Sequence, residues 1–152
     1  MTAPPRVSDL TPLISRSVPF LLHCAAFHST RCVADALEPV GIEPRHFGVL
    51  CTLHSSGPLS QGSLGERLGI DRTTMVQLVD DLERRGLVER KRNPHDRRSY
   101  QLTLTPSGEE TWGRAKELAE GSEDQVLAVL DDDERDALRE LLARVVLAHD
   151  RP

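Results

Sequence analysis

Two short segments joined at a tight, glycine-marked turn constrain this chain more than any other feature. Ser60 stands ahead of Leu64 and Leu68, and Gly69 follows them, so the spacing predicts a short helix that Ser60 caps and Gly69 ends. Two residues on, Asp71 opens a second helix, where its carboxylate can accept from the amides of Thr73 or Thr74. Met75, Leu78, Val79 and Leu82 recur at helical spacing as an inner stripe, and Gly86 closes the helix. Two short helices across a tight turn, the second firmly capped, form a helix-turn-helix. After Gly86 the period becomes two. Val88, Arg90 and Arg92 alternate on one strand, Tyr100, Leu102 and Leu104 on the next, and Asn93-Pro94-His95-Asp96 between them is turn chemistry. A helix-turn-helix followed by a basic hairpin is a winged helix.

Helices flank this unit on both sides. Thr11-Pro12 is a cap followed by a first-turn proline, and Phe20, Leu21, Cys24, Phe27, His28, Cys32 and Leu37 then recur at helical spacing. Pro19 either kinks that helix or marks its start. Gly41 and Pro44 separate it from a helix carrying Phe47, Leu50, Cys51 and His54, and Ser55-Ser56-Gly57-Pro58 reads as a loop. Thr105-Pro106 opens a further helix with Trp112, Ala115 and Leu118, and Asp131 to Asp133 cap a last one. That last helix carries Leu138, Leu141, Leu142, Val145 and Val146, a stripe too apolar to stand alone. The expected fold is mainly α with a small β-hairpin wing: an N-terminal helix within 1–42, a winged helix-turn-helix over 43–105 and C-terminal helices over 106–152.

Charge is distributed to match. The 152 residues carry a net charge of −5, which alone argues against a general nucleic-acid binder. Yet Arg84 to Arg98 holds seven bases against two acids, whereas Gln101 to the end holds 13 acids against six bases. One basic segment on an acidic body marks a local polyanion site. No apolar run approaches the roughly 20 residues that span a bilayer. The first residues lack the charged start, apolar stretch and cleavage site of a secretory signal, so a cytoplasmic, nucleoid-associated protein is expected. The chain has no phosphate-binding glycine loop, G-x-S-x-G, H-E-x-x-H or C-x-x-C, so an enzyme is not expected, nor a cofactor. A dimeric scaffold would leave the basic wing unexplained.

On the second helix of the motif, Arg72, Thr73, Val76 and Gln77 fall opposite the inner stripe, with Thr74 beside them. Arg72 can donate two hydrogen bonds to guanine, Gln77 can pair with adenine, and Val76 and the Thr73 methyl can touch thymine. The hairpin tip offers Arg97 and Arg98 to a narrow minor groove or to phosphates, and Asp96 can hold one guanidinium by a two-pronged pair.

These stretches resemble the MarR family of bacterial transcriptional regulators. The resemblance rests on HFGVLCTLH and on GPLSQGSLGERLGIDRTTMVQLVDDLERRGLVERKRNPHDRRSYQLTLTPSGEE, and above all on LERRGLVER, Asp96-Arg97-Arg98-Ser99 and Leu102-Thr103-Leu104-Thr105. It implies an obligate homodimer built from the first, fifth and sixth helices, with a winged helix at each end reading half of a palindromic operator. It also implies that Arg98 enters the minor groove, that Asp96 orients it and that Arg97 lies nearer a phosphate. Gly62 departs from the family, which often has an acidic helix former there, and weakens its helix by about 1 kcal/mol. Val76 and Gln77 stand where small polar and basic residues are common, so the operator sequence cannot be copied from relatives.

The family usually takes phenolic or aromatic acids, which implies a repressor released by such an effector. An aromatic carboxylate needs a cation or a donor, and Arg16, His23, His28 and His46 on the first two helices are the candidates. Two alternatives use the same fold. Cys24, His28 and Cys32 follow at four-residue steps on one helical face and could contribute a pair of metal ligands, though about 12 Å separates the ends of the trio. Cys24 could instead sense peroxide, although the single tyrosine, Tyr100, lies in the wing and not beside it.

Overall fold

The structure, a computed structural model, describes residues 10–93 and 99–149. A single helical turn, Pro12–Ser15, precedes a long helix α1, Val18–Leu37. Pro19 therefore sits in the first turn of α1, where its missing N–H has no helical partner to lose, and it marks a start, not a kink. A 3-10 turn, Glu38–Val40, ends at Gly41, whose φ of 69° is left-handed. The helices α2, Pro44–Ser56, α3, Gln61–Leu68, and α4, Arg72–Arg84, follow. Strands β1, Val88–Arg92, and β2, Tyr100–Leu104, form the hairpin, and α5, Pro106–Val126, and α6, Asp132–His149, complete the chain. Mainly helical with one two-stranded antiparallel hairpin, this is the expected class.

The chain divides into two compact units. One is Val33–Glu120, wider than the 43–105 stretch expected of the winged helix. It is wider because Leu37 at the end of α1 and Ala115 in α5 are fully buried with the core of α2, α3 and α4. Val49, Leu50, Leu64, Met75, Val79 and Leu82 fill that core, so the inner stripe of α4 packs as its spacing predicts. Ser60 accepts from the Ser63 amide at 3.1 Å to cap α3, and Gly69 ends it in the left-handed region. A Cβ on Gly65 would press the Ile70 carbonyl at 3.1 Å, so the turn closes most easily on a glycine.

The hairpin pairs Val88 with Leu104, Arg90 with Leu102 and Arg92 with Tyr100. Leu102 is buried at 2% exposure, while Tyr100 is 52% exposed. Leu59 adds a one-residue rung on the other edge of β2: its N–H donates to the Leu102 carbonyl at 3.2 Å, and the Leu102 N–H donates back at 2.8 Å. The expected loop after α2 therefore ends as a partner of the sheet. Where α5 begins, the Thr105 hydroxyl donates to the Gly86 carbonyl at 2.6 Å, and the Thr105 N–H donates to the Leu87 carbonyl at 3.1 Å. Gly108 is buried there, and a Cβ on it would overlap the Leu87 carbonyl oxygen.

The second unit holds residues up to Cys32 and from Gly121 onward. Asp131 and Glu134 cap α6 reciprocally, the Glu134 N–H donating to Asp131 at 2.9 Å and the Asp131 N–H to Glu134 at 3.1 Å. Arg135 donates to the carbonyls of Leu127 and Leu130, closing the corner between α5 and α6. Much apolar surface stays outside: Leu13, Val18, Leu141, Val145 and Val146 are all more than half exposed. Among the described residues, no helix is long and apolar enough to cross a membrane.

Candidate nucleic-acid interface

Helix α4 is built to present one face. Asp71 Oδ1 accepts from the amides of Thr73 at 3.0 Å and Thr74 at 3.1 Å, satisfying two of the first-turn donors. The Thr74 hydroxyl and amide, and then the Thr73 amide, hold the Asp71 carboxyl below the usual carboxylate range. With the cap fixed and the inner stripe buried, Arg72, Thr73, Val76 and Gln77 emerge together on the exposed side, and Thr74 is half-buried at its edge. Arg72 has no acidic partner among the described residues.

Among the described residues, the basic run that starts at the end of α4 is largely occupied. Arg84 and Arg85 both bind Asp81, at 2.8 and 2.6 Å, and Arg85 also donates to the Gly41 carbonyl. Arg90 donates to Asp80 at 2.8 Å, to Glu83, and to Gln61. Lys91 pairs with Glu89 at 2.7 Å. Four of the bases that the charge pattern assigns to a polyanion thus neutralise acids of α4 and β1. Arg92, opposite exposed Tyr100, has no acidic partner among the described residues. Asp96, Arg97 and Arg98 lie outside the described residues.

His46, one of the candidates to meet an effector, is held by partners within the fold. It is 5% exposed, its Nδ1 accepts from the Glu43 N–H at 3.2 Å, and its Nε2 lies 3.4 Å from Asp81. An acceptor at Nδ1 requires the neutral ring with its proton on Nε2. Burial pushes the pKa of His46 down against the opposing charge of Asp81. Burial alone would raise the Asp81 carboxyl, but the hydrogen bond from Arg85 and the charges of Arg85 and Arg84 bring it below the usual range. Arg16, His23 and His28 belong to the other unit and are exposed, His28 edge-on to Phe27 at 5.7 Å.

Sequence reasoning missed two features of the winged-helix unit. Arg45, in the first turn of α2, lines two concavities with Thr74, one of them also lined by Gln77. Its only signal was position after a helix-opening proline. His54 and Trp112 stack at 3.4 Å, with His54 Nδ1 2.7 Å from Glu109 and Lys116 5.9 Å above the indole. Cys51 meets Trp112; burial pushes its thiol up, and the Trp112 hydrogen bond only partly offsets that. Cys24 is buried and Cys32 half-buried, and no set of three or more metal-ligating side chains gathers among the described residues.

A sequence model of the MarR family matches residues 40–99. Over 148 residues the chain is 34% identical to a putative transcriptional regulatory protein for the hcr operon of Thauera aromatica, covering 93% of this chain and 88% of that relative. Among solved structures, the transcriptional repressor CouR bound to a 23-mer DNA duplex is 35% identical with a TM-score of 0.84, covering 90% of this chain and 98% of CouR. A second CouR structure holds p-coumaroyl-CoA. BpsR of Bordetella bronchiseptica, whose DNA binding is regulated by 6-hydroxynicotinic acid, is 26% identical with a TM-score of 0.77, covering 85% of this chain and 98% of BpsR.

Proposed function

The chain belongs to the MarR family of transcriptional regulators, and from that premise we propose that it is a cytoplasmic repressor that holds a palindromic operator as a homodimer and releases it on binding a small aromatic or phenolic acid. One observation carries the reading: a capped, well-buried α4 that presents Arg72, Thr73, Val76 and Gln77 on a single exposed face. A helix of that form fits the major groove of B-DNA. Arg72 reads guanine, Gln77 reads adenine, and Val76 with the Thr73 methyl meets thymine, with Thr74 at the edge. The wing adds Arg98 in the minor groove, oriented by Asp96, and Arg97 at a phosphate.

The exposed apolar residues of α1 and α6 support the homodimer, since stripes of that size are buried against a partner in stable proteins. An aromatic effector is supported by the p-coumaroyl-CoA of CouR and the 6-hydroxynicotinic acid of BpsR, and its acid group by the second alone, since the first is a thioester. Arg16, His23 and His28, exposed and charged or polar, are the groups to meet its carboxylate or phenol.

The test is fluorescence anisotropy of a labelled fragment from upstream of the protein's own gene, under reducing, metal-free conditions. Hydroxybenzoates, related aromatic acids and p-coumaroyl-CoA are titrated into the complex. Release by one acid and not by its uncharged amide, lost in Arg16→Ala, is expected. A complex that no compound moves refutes the effector class. Arg98→Ala binding as tightly as wild type refutes the wing assignment.

A further inference from the structure

We infer that Arg45 is a phosphate-anchoring residue that grips the DNA backbone along the flank of α4 opposite Arg72. The inference rests on the DNA-binding reading above and extends it to a residue outside the helix-turn-helix and the wing.

A helix seated in the major groove has a sugar-phosphate strand on each side. Residues advance about 100° per position around an α-helix, so Arg72 and Thr74 flank Thr73 on opposite sides. On the Arg72 side, a concavity of about 900 Å³ between α3 and α4 is lined by Gln61, Gly62, Arg72 and Val76. On the Thr74 side, a concavity of about 370 Å³ is lined by Arg45, Thr74, Gln77, Glu43, Asp81 and Arg85. The cations here differ in what they are free to do. Arg85 is bound to Asp81 and to the Gly41 carbonyl. Arg45 is exposed, has no acidic partner among the described residues, and stands one residue into α2, a helix pinned by buried Val49, Leu50 and Leu53. Glu43 stands at the N-cap of α2, and the carboxylate of Asp81 already accepts from Arg84 and Arg85. Arg45 is therefore the cation on this flank whose charge remains for a phosphate, and its rigid helix sets where that phosphate must lie relative to Gln77.

A phosphate contact adds affinity without sequence preference and adds about 0.9 to the slope of log affinity against log salt. The experiment uses the full chain and a fluorescein-labelled duplex of arbitrary sequence long enough for two half-sites, titrated by anisotropy at several salt concentrations. Between about 50 and 200 mM salt, Arg45→Ala should lose about 3.5-fold less affinity per bound chain than wild type does, and Arg45→Lys should keep the wild-type slope. The thermal midpoint of Arg45→Ala should match wild type, because Arg45 is exposed and has no ion pair among the described residues. A steep wild-type slope left unchanged by Arg45→Ala overturns the assignment of Arg45 and spares the DNA-binding reading. A wild-type affinity that does not depend on salt overturns that reading itself.

Discussion

Replacing Gly108 with alanine should destabilise the protein, although the same change elsewhere in the same helix should stabilise it. In a helix, alanine is favoured over glycine by about 1 kcal/mol. At Gly108 that gain is overruled, because the added Cβ overlaps the carbonyl of Leu87, which is backbone and cannot rotate away. Relief requires α5 to lift from the Gly86–Leu87 segment. Lifting breaks the bonds that Thr105 donates to the Gly86 and Leu87 carbonyls. Two such bonds are worth about 1–3 kcal/mol together. Crowding in a packed site adds about 1–3 kcal/mol. After subtracting the propensity gain, the expected loss for Gly108→Ala is about 1–5 kcal/mol. Gly113 lies on the same helix with nothing within 4 Å of its would-be Cβ, so Gly113→Ala should gain up to about 1 kcal/mol. Urea unfolding followed by far-UV circular dichroism, at one protein concentration, reads both. Equal stability of Gly108→Ala and wild type would refute the contact between α5 and the Leu87 carbonyl as a constraint on the fold.

Two further outcomes follow from His46 and Arg90. Since burial lowers the pKa of His46, native and unfolded chains both hold it neutral above pH 6.5, and stability is then complete. As pH falls below 6.5, the unfolded chain takes up a proton that the native chain refuses, so the urea midpoint should decline; His46→Asn, whose Oδ1 takes the place of Nδ1 as acceptor for the Glu43 N–H, should flatten that part of the profile. Arg90→Ala should cost stability, by about 1 kcal/mol for a half-exposed guanidinium, and leave the salt dependence of DNA binding unchanged, because Asp80 and Glu83 already neutralise it. A reduced salt slope in Arg90→Ala would place Arg90 on the DNA after all.

Local signals in the sequence were reliable where the physics is local. Ser60, Gly69, Asp71 and Gly86 mark the ends of α3 and α4 because capping and left-handed backbone depend on a few neighbouring residues. Partners distant in sequence were not legible. His46 meets Asp81 across 35 positions, and Leu59 meets Leu102 across 43, with nothing at either end to announce the other. The local charge count overstates the free excess for a related reason. The count from Arg84 to Arg98 begins just after Asp80, Asp81 and Glu83; from Asp80 onward, seven bases face five acids. Pairing across one turn of α4 and onto β1 then converts most of the apparent excess into internal ion pairs.

The rung between Leu59 and Leu102 changes what the wing is as a mechanical object. A two-stranded ribbon on its own is marginal in water, and its register can slip. Here the base is held on both sides, by Leu59 and by β1, with Leu102 sunk into the core. Register is thus decided at the root of the hairpin, where Leu102 is paired on both edges. With Leu102 in the same buried cluster as Leu64, Met75 and Val79, the hairpin is held as one body with the helices beneath it, and tilting its root means opening that core.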